Sequence, residues 1–152
     1  MGFYAIFYGA FEKPFWKTKL LRRAGIVSLP DLNGTWQGYL NSSHDNYATQ
    51  YPISSEVTQR WRHLSIRLES AVSISRSESA ALLTQDAGRN TLSYEYFNAP
   101  KASAVGSMHA HRGTGRLTVN RENNCEVLEG EYYTGRDRQM YGSLRLERVC
   151  EE

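Results

Sequence analysis

Several residues that could hold a flat, anionic molecule recur in this chain at a spacing of two. Tyr94, Tyr96 and Asn98 follow that spacing, as do His109 and His111, Tyr132, Thr134 and Arg136, and Arg60 and Arg62. Side chains at i and i+2 project from the same face of a β-strand. Tyrosine rings stack on flat ligands, guanidinium forks grip phosphate oxygens, and amides, imidazoles and hydroxyls read hydrogen-bonding edges. A nucleotide makes all three demands. Taken singly, each residue has a plainer explanation: a ring fills a barrel, and a polar tip reaches solvent at an open rim. The set gains meaning only if the strands bring it to one place.

The elements that must do so are strands. From Thr35 to Val149 apolar residues recur at every second position. Strand-like runs cover Thr35–Asn41, about Arg60–Glu69, about Val72–Glu78, about Ala80–Gln85, Thr91–Asn98, about Met108–Asn120, Val127–Thr134 and about Gln139–Val149. Residues 42–56 read as a polar loop, and Gly113 and Gly115 as a bend or bulge. The pattern predicts an all-β, up-and-down antiparallel barrel of about eight strands. A sandwich is the alternative. In such a barrel, carrying each apolar phase to its rim brings Tyr94, Tyr96, Asn98, His109, His111, Tyr132, Thr134 and Arg136 into one mouth. Arg60 and Arg62 join them, because their strand is expected to start at the same rim. Buried Arg, His and Asn demand partners, and a ligand is a natural one.

Other chemistries find less support. His109-x-His111 could present two imidazoles to a metal, but no acid follows before Asn120, so no metal site is expected. No nucleophile elbow, phosphate-binding loop or dinucleotide fingerprint follows a strand, and Glu95, Glu129 and Glu131 fall on outward phases. No enzyme and no cofactor is expected. Ser73, Ser75 and Ser77 either leave room in a lumen or face water.

The 152 residues suit one core, and a net charge of +2 is too small to predict binding to DNA or RNA polymers. The charge is uneven: within residues 1–30, Lys13, Lys17, Lys19, Arg22 and Arg23 face Glu12 alone. That segment reads as a linker with a short basic helix, Pro14 suiting its first turn and Gly25 its stop, with residues 31–152 as the barrel. Phe3–Phe11 is aromatic but far shorter than the about 20 apolar residues of a membrane helix. It fits either the exit of a membrane helix or an amphipathic helix docked on the barrel. Cys125 and Cys150 could form a disulfide, although a reduced pair is the expectation without a secretory leader.

Five segments occur in an order that resembles a known family: Asn33-Gly-Thr-Trp-Gln-Gly-Tyr-Leu40, Ser73–Ser79, Tyr94-Glu-Tyr-Phe-Asn-Ala-Pro100, His111-Arg-Gly-Thr114 and Gly130-Glu-Tyr-Tyr-Thr-Gly-Arg136. Over roughly residues 30–149 the chain looks like the β-strand-rich effector domain of CBASS anti-phage systems, which follows two transmembrane helices and works with cGAS/DncV-like nucleotidyltransferases. The resemblance implies a barrel that senses a cyclic di- or oligonucleotide, self-associates and disrupts the inner membrane, with the barrel on its cytoplasmic side. It points to Tyr94, Tyr96, Asn98, His111, Thr134 and Arg136 as binding residues. The two membrane helices are missing here, and Phe3–Phe11 fits a chain that begins near the end of the second. The Gly-x-Trp opening is shared with lipocalin and avidin barrels, so a small-molecule carrier is the alternative.

Overall fold

The computed structural model describes residues 29–86, 89–136 and 138–149, together with residues 2, 3, 5, 8, 9 and 18. Eight antiparallel strands form a closed barrel: β1 (Gly34–Ser42), β2 (Tyr51–Gln59), β3 (Leu64–Ser70), β4 (Ser73–Asp86), β5 (Arg89–Pro100), β6 (His111–Glu122), β7 (Cys125–Thr134) and β8 (Tyr141–Arg148). Each strand pairs with the next, and β8 returns to pair with β1 over Trp36–Ser42. The expected architecture is the one observed. The proposed helix after Pro14, most of Phe3–Phe11, the basic run and Cys150 lie outside the described residues. No helix among the described residues is long and apolar enough to cross a membrane.

The strand count agrees with the sequence pattern through two errors that cancel. β2 lies largely in the stretch read as a loop, because its inward residues are Ile53, Ser55, Val57 and Gln59, only half of them apolar. β4 is one strand rather than two. Its pairing with β5 slips between Ser77 and Ser79, so the inward phase passes from Ser73 and Ser75 to Ala80 and Leu82. In sequence that slip looks like a strand end. Gly113 and Gly115 are not a bulge; their pairing with β5 and β7 runs unbroken.

Alternating strand directions give the barrel two unlike ends. At one end lie the short turns after β2, β4 and β6, the last a two-residue turn whose Asn123 and Asn124 both take positive φ. At the other lie the longer connections after β1, β5 and β7, with the tight turn between Ser70 and Ser73 after β3. Arg60 and Arg62 sit in the β2–β3 turn, so they are at the opposite end from Asn98 and His111. This corrects the expectation that their strand starts at the shared rim: the unforeseen β2 reverses its direction.

The end with short turns is plugged. Trp36 and Leu32 are fully buried, and Trp36 Nε1 donates to the Leu32 carbonyl at 3.1 Å. Gln59 ties the incoming chain down, its Oε1 accepting from Leu32 N at 2.7 Å and its Nε2 donating to Pro30 O at 3.2 Å. The Arg148 guanidinium lies 4.9 Å from the Trp36 ring centroid and pairs with Glu126 at 2.9 Å.

Candidate functional site

Above this plug the lumen opens into a cavity of about 380 Å³, within the range of small-molecule sites. Its wall is built on β5, whose inward residues run from Leu92 through Tyr94 and Tyr96 to Asn98, apolar at depth and polar at the mouth. Each tyrosine faces a glycine. Tyr94 pairs with Gly115 and Tyr96 with Gly113 on β6, and Tyr132 of β7 pairs with Gly142 of β8. A Cβ at Gly115 would lie 2.4 Å from Tyr94 Cζ, one at Gly113 2.4 Å from the Tyr96 hydroxyl, and one at Gly142 2.6 Å from Tyr132 Cε1. The glycines therefore let three rings lie flat along the sheet instead of crossing the lumen. That close approach is what keeps the cavity open.

Burial pushes the Tyr94 and Tyr96 hydroxyls well above their ordinary pKa. Burial also raises that of Tyr132, partly offset by its hydrogen bond with Ser42. All three stay neutral at physiological pH and can donate. The two β5 rings are tilted neighbours, with centroids 6.0 Å apart. The positive charge comes from Arg138, a half-buried lining residue whose field reaches the Tyr96 and Tyr132 hydroxyls. Among the described residues, no carboxylate lines the cavity. Asn98 is buried at the mouth, its Nδ2 donating to Ser75 Oγ at 2.8 Å and Ser73 Oγ at 3.0 Å. His111 is buried opposite Asn98, with Nδ1 3.0 Å from the His109 carbonyl oxygen.

Six of the ten residues singled out in the sequence line this cavity: Tyr94, Tyr96, Asn98, His111, Tyr132 and Thr134. Thr134 lines it with its hydroxyl already engaged, accepting from Met140 N at 2.7 Å and donating to Met140 O at 3.0 Å. It holds the β7–β8 loop that carries Arg138. The other four lie elsewhere, Arg60 exposed in the β2–β3 turn. Arg62, at the closed end, is exposed and contacts the Tyr8 hydroxyl and ring. The His109 side chain is exposed, and only its carbonyl serves the site. Arg136 is exposed in the loop after β7. Strand parity assigned it an inward direction, but β7 ends at Thr134 and parity ends with it. Arg138, two residues on, occupies the place foreseen for Arg136; no periodicity marks a loop residue. The serine alternation at 73 and 75 was the visible signal for the polar wall, and both serines are buried in the lumen.

Residues 27–148 match the profile of the Cap15 cyclic dinucleotide receptor domain. The chain is 31% identical over 139 residues to a CD-NTase-associated protein 15 of Staphylococcus schleiferi, covering 91% of this chain and 71% of that protein. It is 26% identical over 150 residues to a CD-NTase-associated protein 15 of Yersinia aleksiciae, covering 97% of this chain and 68% of that one. A closed eight-stranded barrel with a tyrosine-walled lumen, matched over most of its length, places this chain in the Cap15 cyclic dinucleotide receptor domain family of CBASS effectors.

Proposed function

We propose that the barrel is a receptor, not a catalyst, and that a cyclic dinucleotide binds in the lumen at the open end. One observation carries this reading: a blind cavity with three tyrosine rings laid flat on its wall and, among the described residues, one arginine and no carboxylate lining it. The rings supply stacking surface, worth about 1–3 kcal/mol per base in comparable sites. Arg138 supplies a fork for a phosphate, and Asn98, His111 and the serines supply the polar contacts. Arg138 replaces Arg62 and Arg136 as the phosphate ligand. Calorimetric titration of cyclic dinucleotides tests the reading. Saturation at a hundredfold excess over Kd raises the unfolding midpoint by roughly 5–10 °C. An unchanged midpoint and no heat with any cyclic dinucleotide refutes it, and co-purification of a lipid would favour the carrier.

The finer parts of the reading belong to the same proposal. Occupancy promotes self-association of the effector and disruption of the bacterial inner membrane, with the barrel on the cytoplasmic side. The family resemblance supports this. Light scattering with and without ligand tests it, the expected result being a larger species only when ligand is present.

A further inference from the structure

The amide of Asn98 is satisfied on one side only. Its Nδ2 spends both hydrogens on Ser73 Oγ and Ser75 Oγ. Its Oδ1 is buried and has no hydrogen-bond partner among the described residues. A buried carbonyl oxygen left in this state is costly to the fold, so its persistence at a cavity wall asks for an external donor. Directly across the β5–β6 ladder stands His111. Its Nδ1 approaches the His109 carbonyl, which only accepts, so the hydrogen is on Nδ1, and in that uncharged tautomer Nε2 is the acceptor. Side chains paired across a ladder have Cβ atoms about 4.5–5.5 Å apart. The mouth of the cavity therefore sets two acceptors side by side, and neither can satisfy the other.

We infer that Asn98 Oδ1 and His111 Nε2 together read a nucleobase edge that carries two adjacent N–H donors. This rests on the receptor reading above and names the base it selects. Among the four RNA bases that edge is guanine's, with N1–H beside the 2-amino group. Adenine and cytosine set a donor next to an acceptor, and uracil has one N–H between two carbonyls. Ser73 and Ser75 are positioning residues: they hold the amide with its oxygen toward the base. Ser70 secures Ser73, accepting from Ser73 N at 3.0 Å and meeting Ser73 Oγ at 3.1 Å.

The test is calorimetric titration of the whole chain with cyclic di-GMP, cyclic di-AMP, cyclic di-UMP and cyclic GMP–AMP, and with an analogue in which inosine replaces guanosine. Guanine-containing ligands bind about tenfold or more tighter than those without guanine, and the inosine analogue loses about tenfold through its missing amine. Asn98→Leu and His111→Phe still bind through the tyrosines and Arg138 but lose the preference for guanine. Ser75→Ala weakens the preference and removes only a hydroxyl, so it reports even where Leu at 98 does not fold. Equal affinities across the panel, or a guanine preference that survives in the folded variants, overturns the inference and leaves the receptor reading standing. Failure of every ligand to bind overturns the receptor reading itself.

Discussion

Replacing Gly115 with alanine tests how the lumen is held open. The new Cβ would sit 2.4 Å from Tyr94 Cζ and 2.6 Å from Cε1 and the hydroxyl oxygen, and these three are its nearest neighbours. Carbon atoms pack at about 3.5–4.0 Å, so the ring must withdraw by roughly 1–1.5 Å. The sheet blocks retreat on one side, and the only free direction is into the cavity. Such overpacking costs about 1–3 kcal/mol, against which alanine regains about 0.4–1 kcal/mol from the stiffer unfolded chain. The net expectation is a loss of roughly 0.5–2 kcal/mol in urea unfolding, with weaker binding of cyclic dinucleotide. The double variant Gly115→Ala with Tyr94→Leu removes the clash, so the two changes are strongly non-additive, and the coupling exceeds about 0.5 kcal/mol. A Gly115→Ala protein with wild-type stability and affinity, or strict additivity in the cycle, would refute the idea that glycine parks the ring.

Arg138→Ala lowers cyclic-dinucleotide affinity by about tenfold or more and flattens its salt dependence, whereas Arg136→Ala and Arg62→Ala stay within about twofold; titration calorimetry at two ionic strengths distinguishes them. Tyr94 and Tyr96 are neutral in the folded barrel, with pKa values raised above the ordinary 10.0 by burial. Their contribution is therefore fully present below about pH 10 and declines above it, as the unfolded chain ionises first, by up to about 1.4 kcal/mol per pH unit for each ring. Tyr94→Phe makes alkaline unfolding, followed by circular dichroism, less steep. Arg148→Ala uncovers the face of Trp36 and costs about 1–3 kcal/mol in urea unfolding while leaving ligand affinity unchanged, because the closed end is remote from the mouth.

Fold class was legible in the sequence because period two survives wherever one face of a strand is greasy. It fails where the inward face turns polar for use. β2, with Ser55 and Gln59 facing in, lost its signal, since Gln59 ties down the plug rather than packing as a hydrophobe. β4 lost continuity because the irregularity between Ser77 and Ser79 swaps faces within one strand. Omitting β2 turned the next strand upside down and sent Arg62 to the wrong mouth. Splitting β4 then restored the direction for β5 onward, so Tyr94, Tyr96, Asn98 and His111 came out on the correct rim. The residues placed by parity inside strands line the lumen. Arg136 and His109, placed by parity carried past strand ends, do not. Loops have no period to read, and Arg138 shows the consequence.

The two ends of the barrel divide stability from recognition. Leu32, Trp36, Leu92, Leu117, Leu128 and Leu146 are at most 2% exposed, and they fill the closed half. At the open half the buried residues include the polar Ser42, Ser73, Ser75, Asn98 and His111. Apolar residues of equal volume there would favour folding, since buried polar groups gain little beyond replacing their hydrogen bonds to water. Even so, the Asn98 amide oxygen has no partner among the described residues, and three glycines stand where a Cβ would press on a tyrosine ring. Each of these departures enlarges the cavity or points a polar atom at its wall. A sequence shaped by stability alone would have carried the core through to the mouth. This one stops at Tyr94 and leaves the remaining depth of the barrel for a guest.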